Sequence, residues 1–234
     1  MKPCIIIQAR LNSKRLPKKV LKPILGKPLL YYLLKRLENL KTDCHLIVAT
    51  TTNPIDDLIV EYCKSNFIKT FRGSENNVLE RYYKAALKFP STTYIRLTAD
   101  CPLVDPALLD LMLLHFSQKG TQCDYLSNTL KRSYPKGLDI EIFTFEALKK
   151  AYQNASTLYE KEHVTPYIYQ NKHLFSLENF QDHEDISKTN ISVDTLEDFQ
   201  LVEKILKSSF PINPYFGLDE IKIQLKRLEK ITCK

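Results

Sequence analysis

Glycine is scarce in this chain of 234 residues, whose five glycines are Gly26, Gly73, Gly120, Gly137 and Gly217. No two of them have the spacing of the G-x-G-x-x-G fingerprint, and none stands five residues before a Gly-Lys pair, as a Walker A loop requires. The sequence therefore excludes a dinucleotide-binding fingerprint and a P-loop. If the protein binds phosphates, it must do so mainly with side chains.

Closely spaced cysteine pairs and long apolar runs are also absent. The six cysteines include no C-x-x-C pair, which excludes a zinc ribbon and a thioredoxin-like site. No stretch reaches the roughly 18 apolar residues of a transmembrane helix. The apolar run at residues 4–9 is too short for a signal peptide. We therefore expect reduced cysteines, a cytoplasmic location and no membrane partner.

Positive charge is concentrated at the start of the chain. The whole sequence has 34 lysines and arginines and 27 acidic residues, a net charge of +7. Residues 1–41 contain eleven of the basic residues and one acidic residue, Glu38, so this segment carries +10 and the remainder −3. A basic segment on a nearly neutral body indicates a polyanionic ligand, either nucleic acid or a phosphate-rich small molecule. A solvated basic face is the alternative interpretation.

Strand and helix patterns alternate along the first half of the chain. Short runs rich in β-branched residues, typical of buried parallel strands, occupy residues 4–9, 45–50, 67–71 and 93–98. Helix starts follow them at Pro28, Asn53, Ser74 and Asp105. This order predicts an α/β fold with a parallel sheet covered by helices. Ligands of such sheets bind beyond the carboxyl ends of the strands, at loops such as 10–26 and 99–105.

The second half of the chain has a less regular pattern. It predicts strands at residues 123–128, 138–144, 174–179 and 190–193. It predicts helices at residues 145–152, 158–171, 195–206 and 217–230. The composition is close to the globular average, and no linker, repeat or low-complexity run separates the halves. We therefore expect residues 1–234 to form a single domain with an elaborated second part.

The loop after the first predicted strand is rich in groups that bind phosphate. It contains Arg10, Ser13, Arg15 and Lys19. Guanidinium groups bind phosphate oxygens in a bidentate manner, and lysine adds a point charge. A triphosphate in this loop would explain the excess of positive charge in the first 41 residues. The alternative is a basic loop that serves solubility.

This loop also carries a family resemblance. Residues 9–19 resemble the opening motif A-R-x-x-S-x-R-L-P-G-K of the sugar-activating cytidylyltransferases, the superfamily of the CMP-KDO and CMP-sialic acid synthetases. Later segments resemble the spore-coat polysaccharide (SpsF-type) branch, in the family's order: R-L-T-A-D-C-P-L-V-D-P at 96–106, K-G-L-D-I-E at 136–141, E-H-V-T-P-Y at 162–167 and S-V-D-T-L-E-D at 192–198. Three positions depart from the pattern, with Lys18 and Ala99 in place of glycines and Lys161 where an arginine is frequent.

The resemblance implies a Rossmann-like three-layer α/β/α fold of the nucleotide-diphospho-sugar transferase type, with a mostly parallel sheet. It divides the single domain into a nucleotide-binding half (1–120), a sugar-binding and dimerisation part (121–190) and a return strand with C-terminal helices (191–234). It implies an enzyme in which a sugar oxygen attacks the α-phosphate of CTP, pyrophosphate leaves, and a CMP-sugar forms for cell-surface glycan synthesis. Mg²⁺ and the basic loop would neutralise the phosphates.

The resemblance also implies roles for individual residues. The nucleotide would be bound by Ala9, Arg10, Ser13, Arg15, Lys19, Arg81, Thr98 and Asp100. The catalytic members of this set would be Arg10, Arg15, Lys19 and Asp100. Asp100 and Asp194 would bind Mg²⁺, since each follows a short apolar run that we expect to be a strand of the sheet. The sugar would contact Lys136, Asp139, Glu141 and His163.

The less specific of these assignments have alternatives. Asp194 could cap the helix that follows it. Arg81 could be a solvated charge on a helix surface, and His163 could be a packing or surface residue. Asp139 and Glu141 would share one face of a strand, where a pair of carboxylates could accept hydrogen bonds from sugar hydroxyls.

Other functions stay open at this point. The same chemistry with another nucleotide or a sugar 1-phosphate fits these residues, since backbone contacts mostly set base selection. Nucleic-acid binding is disfavoured because residues 8–27 contain no aromatic side chain on which a base could stack. A catalytically silent relative would have lost Asp100 or Lys19, and both are present. An acidic sugar as the acceptor is inferred by analogy alone.

Aromatic residues are dense between positions 125 and 180, where ten tyrosines and phenylalanines occur. Aromatic enrichment is typical of interface cores, and the related synthetases dimerise through the corresponding region. We therefore expect a homodimer, with an ordinary core as the alternative explanation of this density.

Overall fold

The structure, a computed structural model, describes the backbone of residues 1–232 and the side chains as far as Leu228. The strands are β1 (Cys4–Gln8), β2 (Pro23–Ile24), β3 (Lys27–Pro28), β4 (His45–Thr51), β5 (Lys69–Gly73), β6 (Thr93–Thr98), β7 (Tyr125–Ser127), β8 (Glu141–Thr144) and β9 (Leu177–Asn179). The helices are α1 (Leu29–Leu37), α2 (Asp57–Ser65), α3 (Val78–Lys88), α4 (Pro106–Lys119), α5 (Phe145–Asn154), α6 (Leu158–His163), α7 (Pro166–Gln170), α8 (Leu196–Ser209) and α9 (Leu218–Thr232). Within residues 1–232, none of the helices has the length and apolar character needed to cross a bilayer.

Seven of the strands form one mixed sheet in the order β5-β4-β1-β6-β8-β7-β9. The first four run parallel to one another, as the alternation of strand and helix patterns predicts. Strand β8 runs antiparallel to both of its neighbours, β6 and β7, whereas β9 runs parallel to β7. Strands β2 and β3 form a separate antiparallel pair before α1. The mostly parallel sheet predicted from the sequence is confirmed.

Helices cover both faces of the large sheet because successive residues of a strand point to opposite sides. In β1, Ile5 and Ile7 pack in the layer of α1, α2, α4, α8 and α9. Cys4 and Ile6 of the same strand pack in the layer of α3, α5 and α7. The three-layer α/β/α fold expected from the sequence is therefore confirmed.

Helix caps explain several of the observed boundaries. Asp105 accepts a hydrogen bond from Ala107 at 2.9 Å, so the predicted start of α4 is confirmed. Asn53 accepts one from the amide of Ile55 and caps a single 3-10 turn, Pro54–Asp56, which leads into α2 at Asp57. Helix α3 begins later than the predicted Ser74, because Asn77 is its N-cap. The predicted boundaries therefore err where two polar residues compete for the same capping role.

The third predicted strand, residues 67–71, lies two residues further along in the structure, as β5. The end of α2 explains the difference, because the amide of Ile68 still bonds to the carbonyl of Cys63 in that helix. Phe67 has a left-handed φ of 58° and is 98% exposed. The helix terminus therefore extends into residues whose composition predicts a strand.

The helix predicted at residues 158–171 is two short helices, α6 and α7. Between them, Val164 has a φ of 75° and a fully buried side chain. The next residue, Thr165, donates its hydroxyl to Glu141 on strand β8. This tertiary hydrogen bond accompanies a break that the helical pattern does not show.

The strand predicted at residues 138–144 is shorter in the structure, because β8 begins at Glu141. Before it, the backbone groups of Leu138 and Ile140 bond to the side-chain amide of Asn128, at 2.7 and 2.9 Å. The side chain thus takes hydrogen bonds that a neighbouring strand would otherwise provide.

The prediction of a sheet strand at residues 190–193 is wrong. Asn190 forms an isolated β-bridge to Lys136, and the segment joins no strand of the sheet. It bonds to two loops instead, from Ile191 N to Lys136 O at 2.7 Å and from Val193 N to Asp100 O at 2.8 Å. The segment therefore lies beside Asp100 without being part of the sheet.

Most aromatic residues of the second half lie in the core or pack against it. Tyr125 and Phe143 are fully buried and Phe175 nearly so, in the layer of α3, α5 and α7. Tyr159 on α6 is exposed. An ordinary core therefore accounts for much of the aromatic density, and the homodimer stays a prediction.

Candidate active site

Charged loops meet at the carboxyl-terminal edge of the parallel strands. Strands β1 and β6 are neighbours in register, with Gln8 beside Thr98, so the loops that follow them leave the sheet side by side. The first loop carries Lys19 and the second Asp100. The extended segment that bonds to Asp100 O adds Asp194. Residues predicted to bind phosphate and metal thus come together at the edge where ligands bind in such folds.

Lys19 is the centre of this cluster. Its Nζ donates to Asp100 Oδ2 at 2.8 Å, to Asp194 Oδ1 at 2.9 Å and to the carbonyl oxygen of Val193 at 2.6 Å. Burial alone would lower the pKa of Lys19, but the charges of both carboxylates and its hydrogen bonds to them outweigh burial and raise the pKa. The ammonium is therefore charged and holds the two carboxylates together.

Asp194 contacts two further cations. Arg15 Nη2 lies 3.1 Å, and Lys136 Nζ 2.9 Å, from its Oδ2 oxygen. Burial alone would raise the pKa of this carboxyl, but hydrogen bonds from Lys19 and Lys136, with their charges, lower it to about 2. Asp194 is therefore ionised at neutral pH and links residues from three separate parts of the chain.

Helix α8 does not use the side chain of Asp194 as its cap. Thr195 is the N-cap, and its hydroxyl accepts from the amide of Asp198 at 3.2 Å. The Asp198 carboxylate accepts from the amides of Thr195 and Asp194, at 2.9 and 3.0 Å. The capping interpretation of Asp194 is therefore wrong, and its carboxylate faces the cluster.

A glycine allows the loop of Lys136 to approach Asp194. Gly137 has a φ of 109°, and a Cβ atom there would lie 2.6 Å from the backbone of Ile191 and Ser192. The loop and the extended segment therefore pack backbone against backbone at this point. Because Lys136 directly precedes the glycine, this close approach places its ammonium beside Asp194.

The basic loop is anchored by a buried carboxylate that the sequence analysis missed. Asp56, which is 1% exposed, accepts the amide of Leu11 at 2.7 Å and the hydroxyl of Thr51. The amide of Lys18 in turn donates to the carbonyl of Leu11 at 2.9 Å. Lys18 has a left-handed φ of 58°, a conformation that glycine adopts without strain. This backbone conformation explains why the motif that residues 9–19 resemble has a glycine at this position.

The other residues predicted to bind the nucleotide after strands β1 and β6 lie at the same edge of the sheet. Arg10 is exposed and Ser13 half-buried, and neither side chain has a hydrogen-bond partner among the described residues. Ala9 is buried, and its amide bonds to Ala49 O at 3.1 Å. Thr98 Oγ1 lies 3.2 Å from the thiol of Cys101. The side-chain groups of Arg10 and Ser13 are therefore available to a ligand.

Arg81 is buried, so its interpretation as a solvated surface charge is wrong. Its Nη1 donates to Ser74 O at 2.7 Å, and its Nε is buried without a partner among the described residues. In the same loop, Glu75 accepts from the side-chain amides of Asn53 and Asn12, at 3.2 and 3.1 Å. These hydrogen bonds lower the pKa of Glu75. Arg81 thus supports the loop after β5, and its contact with a nucleotide stays a prediction.

Glu141 lies in a buried network beside the cluster. Its carboxylate accepts hydrogen bonds from Arg96, from the hydroxyl of Tyr125 at 2.6 Å and from Thr165. Arg96 also donates from Nε to Gln8 Oε1 at 3.2 Å. The network ties β6 and β8 together at the ligand edge, where Glu141 and Arg96 are partners in the strand register.

Asp139 has an arginine partner of its own. Arg132 holds it in a bidentate pair, with distances of 2.6 and 2.9 Å. The sequence predicts that Asp139 and Glu141 share one strand, but β8 begins at Glu141 and Asp139 lies two residues before it. The side chain of His163 is exposed at the end of α6, with its ring centre 4.5 Å from that of Tyr159, and makes no hydrogen bond to these networks among the described residues. The structure therefore brings Asp139 and Glu141, but not His163, into the networks at this edge.

Sequence analysis assigned no role to Arg96, Arg132 or Thr165. For Arg96 a signal exists, because a lone charge inside a short apolar strand requires a partner when it is buried. Arg132 and Thr165 lie in irregular segments, where nothing in the local pattern points to their carboxylate partners. Their roles depend on which loops the fold places side by side.

The cluster offers a metal two carboxylates. Within the part of the chain that the structure describes, no group of three or more His, Cys, Asp and Glu side chains could hold an ion. Asp100 and Asp194 nevertheless direct one oxygen each to a single point, now held by Lys19. Mg²⁺ accepts such a donor set, since it binds one or two carboxylates and completes its octahedron with phosphate oxygens and water. The residues therefore fit Mg²⁺ when a phosphate ligand is present.

A sequence model of the family described as "Cytidylyltransferase" matches residues 4–231, nearly the whole chain. The chain belongs to this cytidylyltransferase family. The match includes every residue of the cluster and of the neighbouring networks. The resemblance inferred from the loop at residues 9–19 and the later motifs is thus confirmed.

Individual relatives of this cytidylyltransferase support the same family assignment. The chain is 34% identical over 213 residues to the spore coat polysaccharide biosynthesis protein SpsF of Bacillus subtilis strain 168, and the alignment covers 87% of this chain and 86% of that protein. The structure of a cytidylyltransferase from Leptospira borgpetersenii serovar Hardjo-bovis superposes with a TM-score of 0.92 at 35% identity, covering 98% of this chain and 96% of that one. CMP:2-keto-3-deoxy-manno-octonic acid synthetase complexed with CTP superposes with a TM-score of 0.70 at 18% identity, covering 89% and 99%, which shows the shared fold.

Proposed function

We propose that this cytidylyltransferase transfers CMP from CTP to an oxygen of a sugar and releases pyrophosphate. The observation that carries the proposal is the cluster of Lys19, Asp100 and Asp194 at the ligand edge of the sheet, with the exposed Arg15 beside Asp194 and the exposed Arg10 on the same loop as Lys19. The family supports the use of CTP. The name of the SpsF relative supports a product used in cell-surface glycan synthesis.

The basic loop would bind the triphosphate. Arg10 and Ser13 present polar groups at the loop surface, and Arg15 is 64% exposed beside Asp194. Guanidinium groups in these positions would neutralise the charge that grows on the leaving pyrophosphate. The sugar oxygen attacks the α-phosphorus, the bond to the pyrophosphate oxygen breaks, and no protein nucleophile takes part. The protein's contribution is then positioning and charge stabilisation.

Asp100 and Asp194 would hold Mg²⁺ as the cofactor. When bound, the ion would supply charge stabilisation and orientation at the α-phosphate. Asp100 is the stronger candidate, because its Oδ1 oxygen faces the thiol of Cys101 at 3.7 Å and, among the side chains described, accepts no ammonium or guanidinium. The supporting observation is the convergence of the two carboxylates on one cation.

The acceptor sugar would lie on the side of Lys136, Asp139 and Glu141. Arg132 fixes the Asp139 carboxylate, whose remaining lone pairs can accept hydrogen bonds from sugar hydroxyls with little loss of side-chain freedom. Glu141 is 7% exposed and already accepts three hydrogen bonds, so a sugar contact there would require one of its donors to be released. Acidic sugars are the acceptors to test first, by analogy with the synthetase named above. A neutral sugar, a sugar 1-phosphate or another nucleotide is the alternative.

Nucleotide-dependent thermal stability tests the proposal, because a ligand of the folded state raises Tm by mass action. We expect CTP with Mg²⁺ to raise Tm more than ATP, GTP or UTP. We expect pyrophosphate release only with CTP, Mg²⁺ and a suitable sugar from a panel of acidic and neutral sugars. Equal Tm shifts with all four nucleotides would reject the cytidine specificity, and release without added Mg²⁺ in the presence of EDTA would reject the cofactor.

The homodimer and the cytoplasmic location also belong to this proposal. Leu158 and Tyr159 on α6 are exposed side chains that a second copy could cover. Light scattering at micromolar concentration tests the dimer. A mass near 27.2 kDa, that of one chain, would reject it.

A further inference from the structure

The ammonium of Lys19 has no donor left for a phosphate. An ammonium carries three N–H donors, and Asp100, Asp194 and the carbonyl of Val193 accept all three, at 2.6–2.9 Å. The side chain is 8% exposed. A phosphate therefore gains a hydrogen bond from Lys19 only when one of these acceptors is released.

The same ammonium stands between the two carboxylates that would share a metal ion. Asp100 Oδ2 and Asp194 Oδ1 both point to its nitrogen. A second cation brought to these oxygens would meet the charge of Lys19 at short range, in a partly buried site where repulsion is weakly screened. The two cations therefore compete for one position.

We propose that Lys19 is an internal counter-ion, which occupies the cation position of the site until the phosphates of a nucleotide draw it away. The inference rests on the proposed function, because it concerns the order in which the same site takes its ligands. Once Lys19 bonds to phosphate, Asp100 Oδ2 and Asp194 Oδ1 lose the cation that lies between them, and the affinity of these two oxygens for Mg²⁺ rises. Metal ions without nucleotide bind weakly, and nucleotide and metal strengthen each other's binding by linkage.

The surroundings of Lys19 allow the exchange. The side chains of Asp100 and Asp194 are 28% and 15% exposed, so the cluster opens to solvent on the carboxylate side. Arg15 and Lys136 contact the other oxygen of Asp194 and limit the repulsion when Lys19 leaves. The four-carbon stem of a lysine lets the ammonium move while its backbone stays in place.

Titration with Mg²⁺ alone, in the absence of nucleotide, tests the proposal. Isothermal titration calorimetry compares the parent protein with Lys19→Met, which removes the competing charge and keeps an unbranched apolar stem. We expect Lys19→Met to bind Mg²⁺ about tenfold more tightly than the parent, or better. Lys14→Met is the matched control, because it removes an exposed charge from the same loop, one that contacts no carboxylate in the part of the chain that the structure describes. Equal affinities of Lys19→Met and the parent would overturn the proposal.

A second measurement uses the parent protein and does not depend on the folding of Lys19→Met. NMR of ¹⁵N-labelled lysine ammonium groups detects those that exchange slowly with solvent, and the Lys19 signal is assigned by its loss in Lys19→Arg. We expect this signal in the ligand-free protein and a clear shift when CTP is added in EDTA. If CTP binds but the chemical shift of the Lys19 ammonium does not change, Lys19 keeps its hydrogen bonds to the carboxylates and the proposal is wrong.

The two proposals fail in different ways. If CTP supports turnover but Lys19→Met gains no affinity for Mg²⁺, the internal counter-ion is wrong and the proposed function stands. If Lys19→Met gains affinity for Mg²⁺ but no nucleotide supports turnover, the counter-ion stands and the proposed function is wrong.

Discussion

Two buried cations of the basic N-terminal segment, Lys19 and Arg36, serve different purposes. Arg36 is fully buried and packs on the ring of Phe216, with its guanidinium carbon 4.3 Å from the ring centre. Its donors reach four backbone carbonyls, those of Leu103, Val104, Pro214 and Phe216. The donors of Lys19 reach two carboxylates and one carbonyl at an edge that is open to solvent. Burial alone therefore does not distinguish the two cations, whose acceptors differ in charge and in access to solvent.

The acceptors make the difference. Backbone carbonyls are neutral and fixed, so the hydrogen bonds of Arg36 hold the segment at residues 214–216 onto the loop before α4. Carboxylates are charged and can change partners, so in the proposed exchange Lys19 would turn to phosphate oxygens and the carboxylates would turn to a metal ion. Part of the charge of residues 1–41 is also neutralised away from the cluster, because Lys2 pairs with Asp43, an acidic residue outside this segment. The net charge of +10 therefore overstates the charge offered to a ligand.

The largest expected effect is on the functional side of this comparison. Asp100→Asn should lower kcat by roughly a hundred- to a thousandfold, the scale of losing one preorganised charge in the transition state. Pyrophosphate release measures kcat, and urea unfolding checks that stability changes by about 1 kcal/mol or less, as for other partly exposed charges. Near-parental turnover would remove Asp100 from the catalytic site.

Arg36→Met tests the structural side. It should lower the free energy of unfolding by about 3 kcal/mol, because the buried carbonyls lose their donors. The folded protein should keep its affinity for CTP. Lys35→Met is the control, since Lys35 forms only a surface pair with Glu38 and should change stability by about 0.5 kcal/mol or less. Lost CTP affinity in folded Arg36→Met would contradict the division between the two cations.

Gly137→Ala should affect both stability and activity. The new Cβ would lie 2.6 Å from the backbone of Ile191 and Ser192, at a φ of 109°, so the segment that carries Asp194 must shift. We expect a loss of about 2 kcal/mol in unfolding free energy and a lower kcat. Gly120→Ala is the matched control, because φ is 54° there and nothing lies within 4 Å of the new Cβ. If Gly137→Ala and Gly120→Ala had the same kcat, the close approach at Gly137, and with it the position of Lys136, would not contribute to activity.

The smallest expected effect is that of Lys18→Gly. Lys18 holds a φ of 58°, so glycine should relieve about 1 kcal/mol of strain, part of which the greater freedom of unfolded glycine offsets. Thermal unfolding should show a Tm equal to or slightly above that of the parent. A clear decrease would mean that the Lys18 side chain stabilises the loop in a way that its exposed position does not suggest.

Much of the fold was predictable because its signals are local. The apolar runs at residues 4–9, 45–50 and 93–98 correspond to strands β1, β4 and β6, and their alternation with helices predicts a parallel sheet. Asp105 was predictable as a cap because Pro106 follows it. The absence of a sheet strand at residues 190–193 and the break in the helix predicted at 158–171 were not predictable, since hydrogen bonds to residues distant in sequence decide the conformation of both segments.

The candidate site divides in the same way. The sequence by itself determined which chemical groups are present and that Lys19 and Asp100 lie in the loops after the first and fourth predicted sheet strands, because composition and periodicity act over a few neighbouring residues. Only the tertiary structure decided their partners, since Lys19 and Asp194 are 175 residues apart in sequence and Arg96 and Glu141 are 45 apart. The sheet order and the close approach at Gly137 set those distances. A charge count cannot show them, because the free energy of an ion pair depends on separation and burial in the folded chain.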